Sequence, residues 1–314
     1  MSSTESTAKH ADLQAGRVIA THGRNSEVLL EGESKAVEVL HKNKRQRLLC
    51  NDQVLCRAEG KQWQVQSIQP RSNTFERVDA RGKRQQIAAN LDRLLIVVAP
   101  EPAPSDELIE RYLVAAGVLG IKASVILNKT DRLVDIALSQ RLRHLEQAGY
   151  SVLRTAALER HGLDELRAHI NGETMLFIGQ SGVGKSTLIN ALLGTQKQHT
   201  AAISILTGKG THTTTTARAI PLPDPKGSWL IDSPGVWEYS LWRLKPDEVS
   251  LGFPEFDGVH HPCRFRNCSH THEPGCAIRA AAERREFPKQ RWEIYCRIID
   301  QIQKYAPDDT PWRK

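Results

Sequence analysis

"GQSGVGKST", Gly179–Thr187, follows the apolar run TMLFI at 174–178 and opens a stretch of helical character. Gly179-x4-Gly184-Lys185-Ser186 in that setting reads as a phosphate-binding loop. Glycines there let backbone N–H groups converge on a β-phosphate, and the helix that starts at the loop turns its positive end toward the anion. In loops of this kind the lysine, here Lys185, reaches the β- and γ-phosphates, and the hydroxyl that follows, Ser186, ligates Mg2+. Gln180, Ser181, Gly182, Val183 and Thr187 complete the cradle.

The loop alone does not choose between ATP and GTP. A second stretch, "VILNKTD" at 125–131, makes that choice. It is an apolar strand running into Asn128-Lys129-Thr130-Asp131, at the carboxyl edge of a sheet, where ligands of α/β folds bind. A carboxylate at Asp131 can accept two hydrogen bonds from guanine, from N1–H and the exocyclic amine. Adenine has an acceptor at that edge and no such amine, so the carboxylate would be left unpaired. Asn128 is placed to read the far edge of the base, and the Lys129 stem to cover its face. "TAAL" at 155–158 ends the next strand and puts a backbone amide from Thr155, Ala156 or a neighbour within reach of guanine O6.

Asp232-Ser-Pro-Gly235 ends another apolar strand and matches D-x-x-G, with Asp232 beside the inner ligands of Mg2+ and the Gly235 amide on the γ-phosphate. Between it and the phosphate loop lies "GKGTHTTTTAR" (208–218), in which one of Thr213, Thr214 and Thr215 is the expected switch threonine. A glutamine often follows D-x-x-G and orients the attacking water. Val236 occupies that position here and has no group for the task, so His212 in the switch loop is the candidate.

All the parts of a guanine-nucleotide domain are therefore present, but the base loop precedes the phosphate loop. Each motif still falls where a strand ends. A sheet keeps its spatial arrangement if the chain is cut at one point and rejoined at another, so the order implies a circular permutation.

Two other regions flank this domain. Residues 16–84 alternate in short β-like runs separated by turn residues, which predicts a small antiparallel barrel of the OB type. Lys42, Lys44, Arg45, Arg47, Arg71, Arg77, Arg81, Lys83 and Arg84 are interleaved with those runs. Beyond about residue 245, Cys263-x4-Cys268-x-His270-x5-Cys276 offers three thiolates and an imidazole, the donor set of a closed structural zinc site. His272, His260 and His261 are alternative ligands. Cys50, Cys56 and Cys296 have no ligand-like neighbours and read as packing residues. Trp292, Tyr295, Ile299 and Ile302 recur at helical spacing and predict one buried face of a final helix.

Composition sets the remaining bounds. The net charge of +7 is concentrated at the front, where residues 1–90 carry 15 Lys and Arg against 10 Asp and Glu. A polyanionic partner suits that excess. No apolar run approaches a membrane span, and the polar "MSSTESTAKHADLQ" lacks the core of a signal peptide, so a cytoplasmic protein with a flexible tail at 1–14 and no membrane partner is expected.

The combination of "NKTD", "GQSGVGKST", "GTHTTTT", "DSPGV" and the Cys263/Cys268/His270/Cys276 knot behind a basic barrel resembles the RsgA (YjeQ) family of circularly permuted GTPases over nearly the whole chain. The resemblance implies an OB-fold RNA-binding barrel at 15–85, a permuted GTPase domain at 86–240 and a helical zinc-binding domain at 241–314. It implies a GTP hydrolase, converting GTP to GDP with Mg2+, that acts in late maturation of the small (30S) ribosomal subunit, contacts its 16S rRNA and is stimulated by it. It also supports His212 in hydrolysis and one structural Zn2+ per chain. A monomer is expected. The alternative is an RNA-binding checkpoint gated by nucleotide, in which hydrolysis only resets binding.

Overall fold

The computed structural model describes residues 13–22, 25–40, 47–60, 62–78, 84–105, 107–194, 217–233 and 244–305. His212, Thr213, Thr214, Thr215, Gly235 and Val236 lie outside the described residues, as do residues 1–12 of the tail and Lys42, Lys44, Arg45, Arg81 and Lys83 of the basic set. The chain divides into two compact units, one of Met1–Asp92, Ile170–Phe177 and Asn190–Val236, the other of Arg93–His169, Ile178–Ile189 and Trp237–Lys314.

In the first unit the alternating runs become β1 (Leu13–His22), β2 (Asn25–Leu30), β3 (Ala36–Leu40), β4 (Gln53–Glu59) and β5 (Gln62–Ile68). They pair in the order β1-β2-β3-β5-β4, and β4 returns to β1, which closes a five-stranded barrel. Every pairing is antiparallel except β3 with β5. Period-two alternation turns Val18, Val28, Leu30, Val39, Val54, Cys56 and Val65 into the barrel's interior, with Leu48 from the connection joining them. Burial pushes the thiol of Cys50 up to about 12 and that of Cys56 up to about 11, which suits inert packing residues. A hairpin of β6 (Thr74–Val78) and β7 (Arg84–Ala89) follows.

The same unit contains β11 (Thr174–Ile178, up to Phe177), β12 (Arg218–Pro221) and β13 (Trp229–Asp232). β11 and β13 run parallel and β12 runs antiparallel to β13. β12 also meets β1, Arg218 opposite Ala20, so the barrel and these strands share one hydrogen-bonded sheet. Around that seam Arg218 pairs with Glu27, and the Arg17 guanidinium lies 4.5 Å from the ring centre of Trp229.

The second unit holds β8 (Arg93–Val98), β9 (Lys122–Leu127) and β10 (Ser151–Arg154), all parallel. All six residues of β8 are buried, as expected of a strand covered on both faces. Helices α1 (Leu108–Leu119), α2 (Ile136–Gln147) and α3 (Leu163–Ile170) alternate with the strands, and α4 (Lys185–Leu193) follows the phosphate loop. α2 starts at Asp135, whose carboxylate accepts from the Leu138 amide at 2.6 Å. α1 ends in a left-handed Gly120.

The C-terminal part of this unit contains α5 (Pro246–Ser250), a short turn at Pro254–Phe256, α6 (Ala277–Glu283) and α7 (Lys289–Tyr305). The helical stripe on α7 is buried at Tyr295, Ile299 and Ile302, joined by Ile294 and Ile298, while Trp292 is half-buried. Val114 of α1 belongs to the same apolar cluster. A charged network runs through the contact. Arg291 donates from Nε to Glu255 at 2.6 Å, from Nη2 to the Gly252 carbonyl at 2.9 Å, and from Nη1 to Glu110 of α1 at 3.4 Å. Glu110 is also held by Arg141 of α2. Burial opposes the Arg291 charge, but Glu255 and Glu110 more than offset it and its pKa is raised. Gln301 of α7 adds a bond to Glu107 at 2.7 Å.

Candidate nucleotide and metal sites

The base loop and the phosphate loop meet in the second unit, and the side chain that joins them is Asn128. β9 delivers it, 2 % exposed, directly beneath the phosphate loop. Its Nδ2 donates to the Val183 carbonyl at 3.0 Å. Its Oδ1 accepts from the Thr155 hydroxyl at 3.1 Å and from the Ala157 amide at 3.3 Å. One amide thus ties together NKTD, GQSGVGKST and TAAL. Backbone bonds reinforce the arrangement, from Asn128 N to Val98 O at 2.8 Å and from Thr130 N to Thr155 O at 3.1 Å. Ala156 N and His161 O exchange a bridge that pins the third loop.

The phosphate loop takes its shape from glycine. Gly179 has φ +143 and a Cβ there would lie 2.1 Å from the Val97 carbonyl oxygen. Gly184 has φ +92 and a Cβ would lie 2.4 Å from Asn128 Nδ2. Either methyl would drive the loop off the strand ends. Lys185 lies across the loop, its Nζ donating to the carbonyls of Gly179 and Gln180 at 2.6 Å each. Ser186 and Thr187 follow on the first turn of α4, where the helix N-terminus favours an anion.

At the exposed end of the base loop Lys129 is left-handed, with φ +59, and its Nζ donates to the Glu101 carbonyl at 2.8 Å. Arg132 pairs with the Glu101 carboxylate at 3.0 Å. Asp131 is exposed. Asp232 ends β13 in the first unit, opposite Arg218.

Cys263, Cys268, His270 and Cys276 come together with their four ligand atoms within 4.8 Å of one another. His270 Nδ1 is 3.5 Å from the Cys263 sulfur and 3.6 Å from that of Cys276. A tetrahedral zinc with bonds of about 2.0–2.3 Å has edges of about 3.3–3.8 Å, so these residues fit the ion. The surroundings suit thiolates. The Ala277 amide donates to the Cys263 sulfur at 3.3 Å and the Arg279 amide to that of Cys276 at 3.4 Å. Burial, with the adjacent Cys276, pushes the Cys268 thiol up to about 12, so three thiolates need a cation between them. Trp292 Nε1 donates to the His270 carbonyl at 2.7 Å and Tyr295 to that of Ser269 at 2.9 Å, which fixes the loop on α7. Of the alternative ligands, His272 is exposed and faces Thr271, while His260 and His261 are exposed outside the cluster.

A phosphate loop downstream of an N-K-x-D loop, behind a five-stranded barrel, defines a circularly permuted GTPase. The comparisons agree. The family described as RsgA GTPase matches residues 68–242. A protein of Chromohalobacter salexigens named small ribosomal subunit biogenesis GTPase RsgA is 43% identical over 292 residues, covering 91% of this chain and 85% of its own. Its namesake in Ectopseudomonas mendocina is 42% identical over 295 residues, with the same coverages. The crystal structure of YjeQ from Thermotoga maritima matches with a TM-score of 0.74 at 25% identity, over 92% of this chain and 98% of that one. YloQ, described as a circularly permuted GTPase, shares the fold with a TM-score of 0.73 at 23% identity, over 95% and 98%. The chain belongs to the RsgA GTPase family and is a GTP hydrolase.

Proposed function

We propose that this chain hydrolyses GTP on the small (30S) ribosomal subunit late in its maturation, that contact with the subunit and its 16S rRNA stimulates hydrolysis, and that it works as a cytoplasmic monomer away from membranes. The carrying observation is the Asn128 strut, which holds base loop and phosphate loop in one geometry. The names of the relatives supply the subunit. Among the described residues no helix is long and apolar enough to cross a membrane.

In this reading Asp131 selects guanine, the second N–H of Asn128 faces the far edge of the base, the Lys129 stem covers the ring, and Thr155 and Ala156 present the amide for O6. Gly179, Gln180, Ser181, Gly182, Val183 and Gly184 wrap the β-phosphate, and Lys185 spans the β- and γ-phosphates. Mg2+ would neutralise phosphate charge, and Ser186 with the switch threonine, Thr214 or a neighbour, would hold it, with Asp232 supporting them. Thr187 closes the first turn, and the Gly235 amide meets the γ-phosphate. His212 orients the attacking water in place of the glutamine that Val236 replaces. Zn2+, one per chain, is held by Cys263, Cys268, His270 and Cys276 and is structural.

The test is GTP turnover by the purified chain with and without 30S subunits. Slow turnover alone and a rise on the order of 10²-fold or more with subunits is expected, the size that ordering a catalytic group supplies. Equal rates in both would remove the subunit from the function. Subunit affinity with GDP, GTP and a non-hydrolysable analogue separates this reading from the checkpoint alternative.

A further inference from the structure

Phe265 is 41 % exposed, although the rings of Phe253, Phe256 and Phe287 in the same domain are all buried. It stands at the tip of a short loop between two of the metal-site cysteines, Cys263 and Cys268. Arg264, Phe265, Arg266 and Asn267 are all exposed. Yet the loop is not loose. The Arg264 amide donates to the Gly275 carbonyl at 3.0 Å, and the Cys268 amide closes a turn on the Phe265 carbonyl at 3.3 Å. The Arg264 guanidinium lies 5.5 Å from the Phe265 ring centre.

The charges next to this ring in the chain are positive. Residues 258–272 include Arg264, Arg266 and four histidines and no Asp or Glu. The carboxylates that border this stretch are the exposed Asp257 and the half-buried Glu273, which accepts from the Ser269 amide at 2.6 Å and the Thr271 amide at 3.3 Å. Burial would raise the pKa of Glu273, but hydrogen bonds from Ser269 and Thr271 hold it down to about 2. The nearby Arg279 and Arg284 have their own carboxylates in Glu283 and Glu286. Among the described residues no carboxylate pairs with Arg264 or Arg266.

A rigid exposed ring flanked by two guanidiniums matches the chemistry of a nucleic acid with an unpaired base. The ring face stacks the base and the cations meet the phosphates on either side. A protein partner would bury the ring equally well but has no use for the unbalanced charge. We propose that Phe265 is a stacking platform for an unpaired nucleotide of RNA, with Arg264 and Arg266 as its phosphate contacts. The proposal rests on the reading that the ribosomal subunit is the partner, and it names the residue by which the metal domain would grip the subunit's RNA.

The experiment measures binding of the zinc-loaded full chain to purified 30S subunits and to protein-free 16S rRNA over a range of salt. Phe265→Ala and Phe265→Leu should both bind about tenfold or more weakly on the two targets, since stacking one base on an aromatic is worth that much, with the salt slope unchanged. Phe265→Trp should bind as wild type does. Arg264→Gln with Arg266→Gln should flatten the salt slope by about one unit or more. Zinc content equal to wild type shows that the loop is intact, and the Leu variant keeps apolar bulk should Ala disturb it. Wild-type binding by Phe265→Leu would overturn stacking in favour of simple apolar burial. Weakening on subunits but not on naked rRNA would place the ring on a protein and overturn the proposal. Failure of the wild-type chain to bind either target would overturn the functional reading first and this one with it.

Discussion

Replacing Arg291 by Met tests whether α1 and the metal domain are held together by buried charge. The Arg291 side chain is 1 % exposed, and its guanidinium serves Glu255 twice, the Gly252 carbonyl and Glu110, with the Phe253 ring 4.4 Å from its centre. The substitution keeps much of the volume. It leaves the Glu255 carboxylate, 6 % exposed, without its partner, and the fully buried Glu110 with Arg141. Removing one member of a buried ion pair costs about 3–5 kcal/mol, because the remaining charge is stranded. That is a large share of the 5–15 kcal/mol that holds a typical domain together. Urea unfolding followed by tryptophan fluorescence, with Trp292 beside the metal site, should show the midpoint of the C-terminal transition falling by about 1–2 M. Release of zinc to a chromophoric chelator gives a second readout. The double variant Arg291→Met with Glu255→Met should recover about 2 kcal/mol or more, since Glu110 keeps Arg141 and the cavity becomes apolar. A loss below about 1 kcal/mol in the single variant, or a double variant no better than the single, would refute the reasoning.

Asn128→Ala should strand the Val183 carbonyl and the Ala157 amide, at about 1–3 kcal/mol for each group left unpaired; the nucleotide-free protein should melt earlier and GTP affinity should drop. Unchanged melting would show that the strut carries no load. Adding zinc to metal-free protein in weak buffer near neutral pH should acidify the solution, because binding displaces thiol protons, that of Cys268 among them, from a site whose burial raises its pKa. Zinc uptake without proton release would mean that the thiols are not the ligands.

The motifs were legible because their chemistry is local. A phosphate loop needs glycines at fixed offsets, and the four donors of this metal site all fall within residues 263–276. The barrel was legible through period-two alternation, and β1 to β6 fall on the runs that showed it. β7 and β12 were not among them. RQQIAA offers one large apolar residue, and RAIP is four residues ending in proline, so neither carries a pattern. The double duty of Asn128 was hidden for another reason. Its sequence context marks it for the base, and only the approach of Val183, 55 positions away, gives it a second task. The Arg291–Glu110 pair, 181 positions apart, leaves no local trace at all.

An open sheet must end somewhere, and its last strand offers unpaired N–H and C=O groups to any passing chain. Here β12 meets β1, and β1 belongs to a barrel whose strands close on one another. The RNA-binding module proposed at the front of the chain therefore also seals the side of the sheet that β11, β13 and β12 form in the same unit. Deleting it would bare a strand edge, and the shortened protein should be prone to self-association whatever becomes of its grip on RNA.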